Sequence, residues 1–178
     1  MTITTQSRLI RLGLVLFFIL QSMFFILAWT GDFSAFFDIK MRFTPEGLSY
    51  LELQQLTGSQ KLLGAAIGCP SLLIMSYGLW HLWFMLKDLE TANIFSLNNI
   101  RALRSFTGAT LLGICYNLLE APLRTLVLRM FTDGSDRPIK FSINTEVFML
   151  LFISCLFYLL INMMHEGRRL AEENEGFI

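Results

Sequence analysis

The chain has 178 residues, of which 54% are hydrophobic and only 16% are charged. This composition is more apolar than that of an average soluble domain, and the net charge of +0 excludes a long-range field that would attract nucleic acid or an acidic substrate. The length fits one domain, 1–178, so the excess of apolar residues has to lie in particular stretches.

Four apolar runs separated by polar segments hold that excess. A helix needs about 20 apolar residues to cross the hydrocarbon core of a bilayer, and three of the runs reach or nearly reach this length without a charged residue inside. A helix of a soluble bundle would show a polar stripe toward water, and these runs show none. We therefore predict an all-α membrane protein with four transmembrane helices, at about 9–31, 62–86, 104–121 and 146–165.

The flanks of the first run predict the orientation in the membrane. Arg8 and Arg11 precede this run, as in a secretory signal, but the run is too long for one and ends without a suitable cleavage site. Basic residues that flank a transmembrane helix are preferentially retained on the cytoplasmic side of the membrane. At the other end of the first run, the nearby charged residues are the acidic Asp32 and Asp38. We therefore expect a retained span with both termini in the cytoplasm.

Two external segments separate the spans on the other side of the membrane. Thr44 followed by Pro45 is typical of a helix start, which predicts a short helix from there toward Gly58. The residues at 39–43 and 139–143 alternate between apolar and polar, which is a strand pattern. The two alternating segments predict a possible small external β ribbon.

Small residues recur at helical spacing in the second and third runs. Such residues let helix backbones approach closely inside a membrane, where lipid supplies no hydrophobic drive for association. We expect close contact between these two spans within the chain, and the alternative is a homo-oligomer that uses the same residues. The residues concerned are Gly64, Gly68, Ala109 and Gly113.

Three polar residues near the end of the third run share one helix face: Glu120 follows Asn117 by three residues, and Arg124 follows Glu120 by four. An ionisable residue within a span is a functional candidate. The alternative is an interfacial ion pair in which Arg124 extends toward the headgroups. Pro122 lies between the two charges, and we expect the helix to kink or restart there.

Two polar stretches lie on the predicted cytoplasmic side, the connector at 87–104 and the tail at 166–178. Ser96 is well placed as the N-cap of a helix that continues into the third span. The tail is basic at its start and acidic later, so Arg101 and Arg104 of the connector are predicted to pair with its glutamates.

Few residues indicate metal or cofactor chemistry. Each cysteine lies in a different apolar run, which favours packing over disulfides. His81 and His165 could act as two axial ligands of a haem iron, but no other pattern in the sequence supports a haem site. No phosphate-binding, dinucleotide-binding, zinc-protease or nucleophile motif is present in the sequence. We expect no cofactor and no enzymatic activity.

Two short stretches resemble a known family. They are the pattern Phe95-Ser96-x-x-Asn99-x-x-x-Leu103-Arg104 before the third span and the segment Leu170-Ala-Glu-Glu-Asn-Glu-Gly-Phe-Ile178 at the end. Together with the four-span layout, they resemble the bacterial membrane family catalogued as domain of unknown function twenty-nine seventy-five. The resemblance implies a bacterial inner-membrane protein of unestablished activity, with members often encoded beside a small helix-turn-helix regulator.

These observations favour a non-enzymatic membrane protein whose connector and tail bind a soluble cytoplasmic partner, such as a small regulator, without contacting nucleic acid directly. The alternatives are a small transporter or channel component that uses Asn117, Glu120 and Arg124, and an immunity-type protein that acts through its external segments. The residues predicted to carry the cytoplasmic contact are Phe95, Ser96, Asn99, Arg101, Arg104, Glu172, Glu173, Asn174 and Phe177.

Overall fold

The structure is a computed structural model that describes residues 3–30, 33–34, 40–41, 43–91, 96–131 and 145–175. The described residues form five α-helices, a 3₁₀ turn and two short strands. In chain order these are α1 (Ile3–Thr30), β1 (Phe33–Ser34), β2 (Lys40–Met41), α2 (Tyr50–Gln55), α3 (Gly58–Asp88), the 3₁₀ turn (Leu89–Thr91), α4 (Leu97–Phe131) and α5 (Thr145–Glu175).

Within the described residues, four helical segments are long enough and apolar enough to cross a membrane. They are Thr5–Thr30, Gly58–Asp88, Leu97–Phe131 and Thr145–Asn174. Large apolar side chains such as Leu12 and Ile19 point outward from these helices, which is stable in hydrocarbon and unfavourable in water. The predicted four-span α-helical architecture of a multi-pass membrane protein is confirmed.

The contacts between residues divide the chain into two compact units. Unit 1 consists of Met1–Phe18, Ile74–Ile114 and Asn144–Ile178, and unit 2 consists of Ile19–Leu73 and Cys115–Ile143. Helices α1, α3 and α4 therefore contribute to both units, whereas α2 belongs to unit 2 and the described part of α5 belongs to unit 1.

Unit 1 has an apolar core where α3, α4 and α5 meet. Ile100 and Leu103 of α4 are buried against Ile161 of α5, and aromatic and methionine side chains surround them, namely Met85, Phe106, Phe157 and Met164. A methyl group added at Gly78 would lie 3.1 Å from the Cβ of Ala109, and one added at Gly113 would lie 3.7 Å from Ile74. Gly78 and Ala109 thus let α3 and α4 approach closely. The predicted Gly64 and Gly68 of α3 instead face Trp29 and Phe25 of α1, and Gly68 also faces Glu120 of α4.

Unit 2 has its own core around Trp29, which packs with the buried Leu53 of α2 and Leu128 of α4. Leu48 and Leu56 complete this cluster. Because α4 carries Leu128 into this core, the helix continues through Pro122 to Phe131. The prediction that the helix restarts at Pro122 is therefore wrong: packing on the far side of the proline outweighs the loss of one backbone hydrogen bond.

The helix predicted from Thr44 begins six residues later, at Tyr50. Ser49 is its N-cap and forms a capping box with Glu52. Residues 45–48 instead form a turn, in which the backbone N–H of Leu48 donates to the carbonyl of Pro45 at 3.1 Å. Gly47 has a φ of 83°, a left-handed conformation that a helix does not contain, so the turn separates Pro45 from α2.

The external ribbon receives no support. Lys40–Met41 pairs antiparallel with Phe33–Ser34 of the same segment between α1 and α2, in the register Phe33 to Met41 and Ser34 to Lys40. The predicted partner, 139–143, lies outside the described residues.

Candidate functional site

A buried charge cluster in unit 2 is built around Arg124, whose side chain is 2% exposed. Arg124 lies one turn after Glu120 on α4, and its Nη2 donates a hydrogen bond to Glu120 Oε1. Its Nη1 donates to the backbone carbonyl of Glu46 in the turn before α2. The guanidinium therefore joins α4 to the turn before α2, which is 78 residues away in sequence.

Trp29 of α1 closes the cluster from another side. The Cζ of Arg124 lies 5.3 Å from the centre of the indole ring, within the range of a cation–π contact. A Cβ at Gly64 would overlap this indole, so the glycine of α3 provides the space that Trp29 occupies. The ion pair of Arg124 with Glu120 that the sequence suggests is present, and the guanidinium is enclosed by the indole and the carbonyl of Glu46 rather than extended into solvent.

Asn117 also reaches this cluster. Its Nδ2 donates to Glu46 Oε2 at 3.3 Å, and the hydroxyl of the neighbouring Tyr116 donates to the carbonyl of Ile67 at 2.6 Å. The structure thus brings together all three residues predicted for the polar face and adds Glu46. Sequence reasoning missed Glu46 because its distance from α4 along the chain gives no periodic signal.

The cluster borders a cavity of about 270 Å³. Gly68 is close to its wall: a Cβ there would lie 2.9 Å from the ring of Phe25 and 3.2 Å from Glu120 Oε1. Within the described residues, Gln21 Oε1 and Arg124 Nε are shielded from solvent and have no hydrogen-bond partner. The lining residues are Gln21, Phe24, Phe25, Ala28, Trp29, Pro45, Glu46, Gly68, Ser71, Leu72, Glu120 and Arg124.

The charges of the cluster do not balance. Among the described lining residues, Glu46 and Glu120 carry two negative charges against the single positive charge of Arg124, which leaves one negative charge in excess. Among the described residues no group of three or more His, Cys, Asp or Glu side chains could hold a metal ion. The arrangement is suited to polar binding, and it offers neither a nucleophile with an adjacent base nor a metal centre among those residues.

A second region of interest lies in unit 1 at the start of α4. The hydroxyl of Ser96 accepts a hydrogen bond from the backbone N–H of Asn99 at 3.1 Å, so Ser96 caps the helix as predicted. Asn99 is 0% exposed, which places this predicted contact residue in the interior. Arg101 and Arg104 are exposed instead, together with Asn98.

The tail region continues α5 as an exposed helix to Glu175. Arg168 Nε lies 2.6 Å from Glu172 Oε1, and Arg169 lies 3.0 Å from Glu166 and 3.5 Å from Glu173. The tail glutamates 172 and 173 therefore pair with arginines of their own helix rather than with Arg101 and Arg104. Asn174 is exposed beside them, whereas Phe95 and Phe177 lie outside the described residues.

Unit 1 also contains an ion pair that sequence reasoning missed. Arg11 Nη2 of α1 pairs with Glu90 Oε1 in the 3₁₀ turn, and Arg11 Cζ lies 5.4 Å from the centre of the Trp83 ring. One turn before Arg11 on α1, the hydroxyl of Ser7 donates a hydrogen bond to the backbone carbonyl of Leu86 on α3. These contacts hold the start of α1 against the end of α3.

His81 and the three cysteines lie on the long helices α3, α4 and α5. His81 packs edge-on against Tyr77 with 4.6 Å between ring centres. Cys69, Cys115 and Cys155 are free and exposed on the helix surfaces, so the prediction that they pack inside is wrong. An exposed thiol is stable there because the lipid surrounding a span is as apolar as a protein core.

The comparison with known families gives one result for this chain. The family described as Protein of unknown function (DUF2975) matches residues 39–178. No curated protein and no solved structure matches the chain.

Proposed function

The chain belongs to the DUF2975 family, and we propose that it is a non-enzymatic protein of the bacterial inner membrane, which binds a soluble cytoplasmic partner on unit 1. The proposed docking surface comprises Asn98, Arg101 and Arg104 of α4 and the exposed end of α5 from His165 to Asn174. A small regulator of the helix-turn-helix class is the proposed partner. Both termini lie in the cytoplasm in this proposal.

One observation carries the proposal: the two parts of the docking surface lie on helices, α4 and α5, that share one buried core. Ile100 and Leu103 pack against Ile161 on α5, which leaves the intervening Arg101 and the following Arg104 exposed. A surface that is ordered before binding loses less conformational entropy when a partner docks.

The charges of the surface favour a partner that carries both signs. Arg101 and Arg104 are exposed positive charges on α4, and no acidic residue lies between them in sequence. On α5, Glu172 and Glu173 are exposed negative charges. Exposed ion pairs within one helix contribute about 0–1 kcal/mol each, so a partner can replace them at little expense. Electrostatic complementarity of this kind sets specificity and association rate more than affinity.

Cysteine labelling from each side tests the orientation. The three native cysteines are first replaced by serine, and single cysteines are then introduced as Asn98→Cys and Gln55→Cys, both at exposed positions. We expect a membrane-impermeant maleimide to label position 55 in intact cells and position 98 only after lysis. The reverse pattern would place the docking surface outside the cell and contradict the proposal.

Photo-crosslinking tests the docking itself. A benzophenone amino acid replaces Arg101, and the matched control replaces the exposed, membrane-facing Leu112 of the same helix. We expect position 101 to capture a soluble protein identical to the product of an adjacent regulator gene, and position 112 to capture lipid only. Capture of lipid alone at both positions would contradict the proposed function.

The transporter alternative is less well supported than docking. Glu120 and Arg124 pair with each other, and Asn117 binds Glu46, so these side chains hold one another in place. A subunit contact through Gly64 and Gly68 would be needed for a wider pathway, yet Trp29 and Phe25 of the same chain already occupy these positions. No contact among the described residues favours the immunity-type alternative.

A further inference from the structure

We propose that the cavity of unit 2 binds a small organic monocation with a primary ammonium group and a short apolar tail. This site is separate from the docking surface of unit 1, and the inference does not depend on the proposed function. It rests on the charge balance, the hydrogen-bond acceptors and the aromatic wall of the cavity.

The charge balance indicates the sign of the ligand. Arg124 Nη1 donates to the backbone carbonyl of Glu46 rather than to its carboxylate, and Nη2 donates to Glu120. Among the described residues, the carboxylate of Glu46 is bonded to the neutral amide of Asn117. Those residues therefore leave one negative charge of the cluster without a counter-charge, and a bound cation would supply it.

The position of Glu46 shows how the site can exist without its ligand. Glu46 is exposed at the edge of the cavity, whereas Arg124 and Glu120 lie deeper. Water can solvate the Glu46 carboxylate when the cavity is empty, so the excess charge is tolerated. A ligand that enters past Glu46 displaces that water and contacts the carboxylate and the groups behind it.

The free acceptors fit an ammonium group. Gln21 Oε1 is shielded from solvent and accepts no hydrogen bond from the described residues. A primary ammonium has three N–H donors, and Gln21, Glu46 and Glu120 offer three acceptors around one cavity. A buried acceptor without a partner is unfavourable, so a donor at this point would stabilise the bound state.

The wall and size of the cavity favour an organic cation over a metal ion. Divalent calcium or magnesium takes six or more oxygen ligands, while the lining contains two carboxylates and no described cluster of three metal-binding side chains. Phe24 and Phe25 line the remaining space of about 270 Å³. Apolar rings of this kind suit a short hydrocarbon tail and also attract a cation.

Calorimetric titration of the purified full-length protein in detergent tests the proposal. The probe is n-butylammonium chloride at pH 7, with n-butanol as the neutral probe of the same shape and calcium chloride as the metal probe. We expect saturable binding of one butylammonium per chain and no saturable binding of butanol or calcium.

Matched variants locate the binding. Glu46→Gln removes the excess charge, and we expect at least a tenfold loss of butylammonium affinity. Gln21→Leu removes one acceptor, with an expected loss of about threefold to tenfold. Glu146→Gln at an exposed position of unit 1 is the control and should leave affinity unchanged.

Three results would overturn the inference. They are the absence of saturable butylammonium binding to the folded protein, equal binding of butanol, and calcium binding that Glu46→Gln abolishes and that excludes butylammonium. Unchanged affinity in both Glu46→Gln and Gln21→Leu would also overturn it, because the ligand would then bind elsewhere. Thermal unfolding of each variant verifies that the protein remains folded.

Discussion

The two units contain the same three-part arrangement, an arginine paired with a glutamate and positioned over a tryptophan. In unit 2, Arg124 pairs with Glu120 and lies 5.3 Å from the Trp29 ring centre. In unit 1, Arg11 pairs with Glu90 and lies 5.4 Å from that of Trp83. The difference is in their surroundings: the side chain of Arg124 is 2% exposed and that of Arg11 is 17% exposed.

This difference determines what each pair contributes. Breaking a buried pair leaves one uncompensated charge and costs about 3–5 kcal/mol, whereas an exposed pair contributes about 0–1 kcal/mol. Arg11 lies between these limits because water still reaches part of the pair. We therefore expect the Arg124–Glu120 pair to determine the stability of unit 2. We expect the Arg11–Glu90 pair to hold the start of α1 against the end of α3.

The largest effect is expected from Arg124→Met. The substitution leaves Glu120 buried without its partner and removes the donor to the carbonyl of Glu46, so we expect a loss of about 3–5 kcal/mol. Thermal unfolding in detergent measures it. Arg101→Gln at an exposed position of the same helix is the control, and an equal effect of both substitutions would contradict the burial of Arg124.

A packing test of intermediate size uses two glycines. Gly64→Ala places a methyl group into the indole of Trp29, and we expect a loss of about 1–3 kcal/mol. Gly108→Ala is the matched control, since nothing lies within 4 Å of a Cβ there, and it should raise stability by about 0.5–1 kcal/mol. Equal unfolding midpoints for the two variants would contradict the close approach of α3 to Trp29.

The long-range pair of unit 1 can be measured by a double-mutant cycle. We expect a coupling of about 1–2 kcal/mol between Arg11→Gln and Glu90→Gln. The cycle between Arg8→Gln and Glu90→Gln serves as the comparison, because Arg8 is 72% exposed and lies 3.9 Å from Glu90, and its coupling should be below about 0.5 kcal/mol. A larger coupling of Glu90 with Arg8 than with Arg11 would mean that Arg8 is the main partner of Glu90.

The smallest effect is expected at the docking surface. Arg168→Gln breaks one exposed pair with Glu172 and should change stability by less than about 0.5 kcal/mol. A loss of several kcal/mol in thermal unfolding would mean that the end of α5 serves the stability of unit 1 instead of being free for a partner.

Sequence reasoning predicted the features that depend on local pattern. The four spans follow from the length of apolar runs, the cap of α4 from Ser96, and the shared face of Glu120 and Arg124 from their spacing. Each of these depends on residues within one helix, where periodicity carries the information.

The missed features depend on contacts between distant parts of the chain. The bond from Arg124 to Glu46 uses a backbone carbonyl, which has no sequence signature, and Arg11 and Glu90 lie 79 residues apart. The Thr44-Pro45 pair resembles a helix cap and therefore predicts a start for α2 that is too early. The left-handed Gly47 and the burial of Leu48 and Leu53 decide the actual start.

The unfolding midpoints of four proteins test the central claim most directly: the wild type, Arg124→Met, Glu120→Met and the double variant. If Arg124 and Glu120 neutralise each other inside unit 2, each single variant leaves a buried unpaired charge, and the double variant removes both charges. We expect the double variant to be more stable than either single variant. Additive losses, with the double variant the least stable of the four, would contradict it.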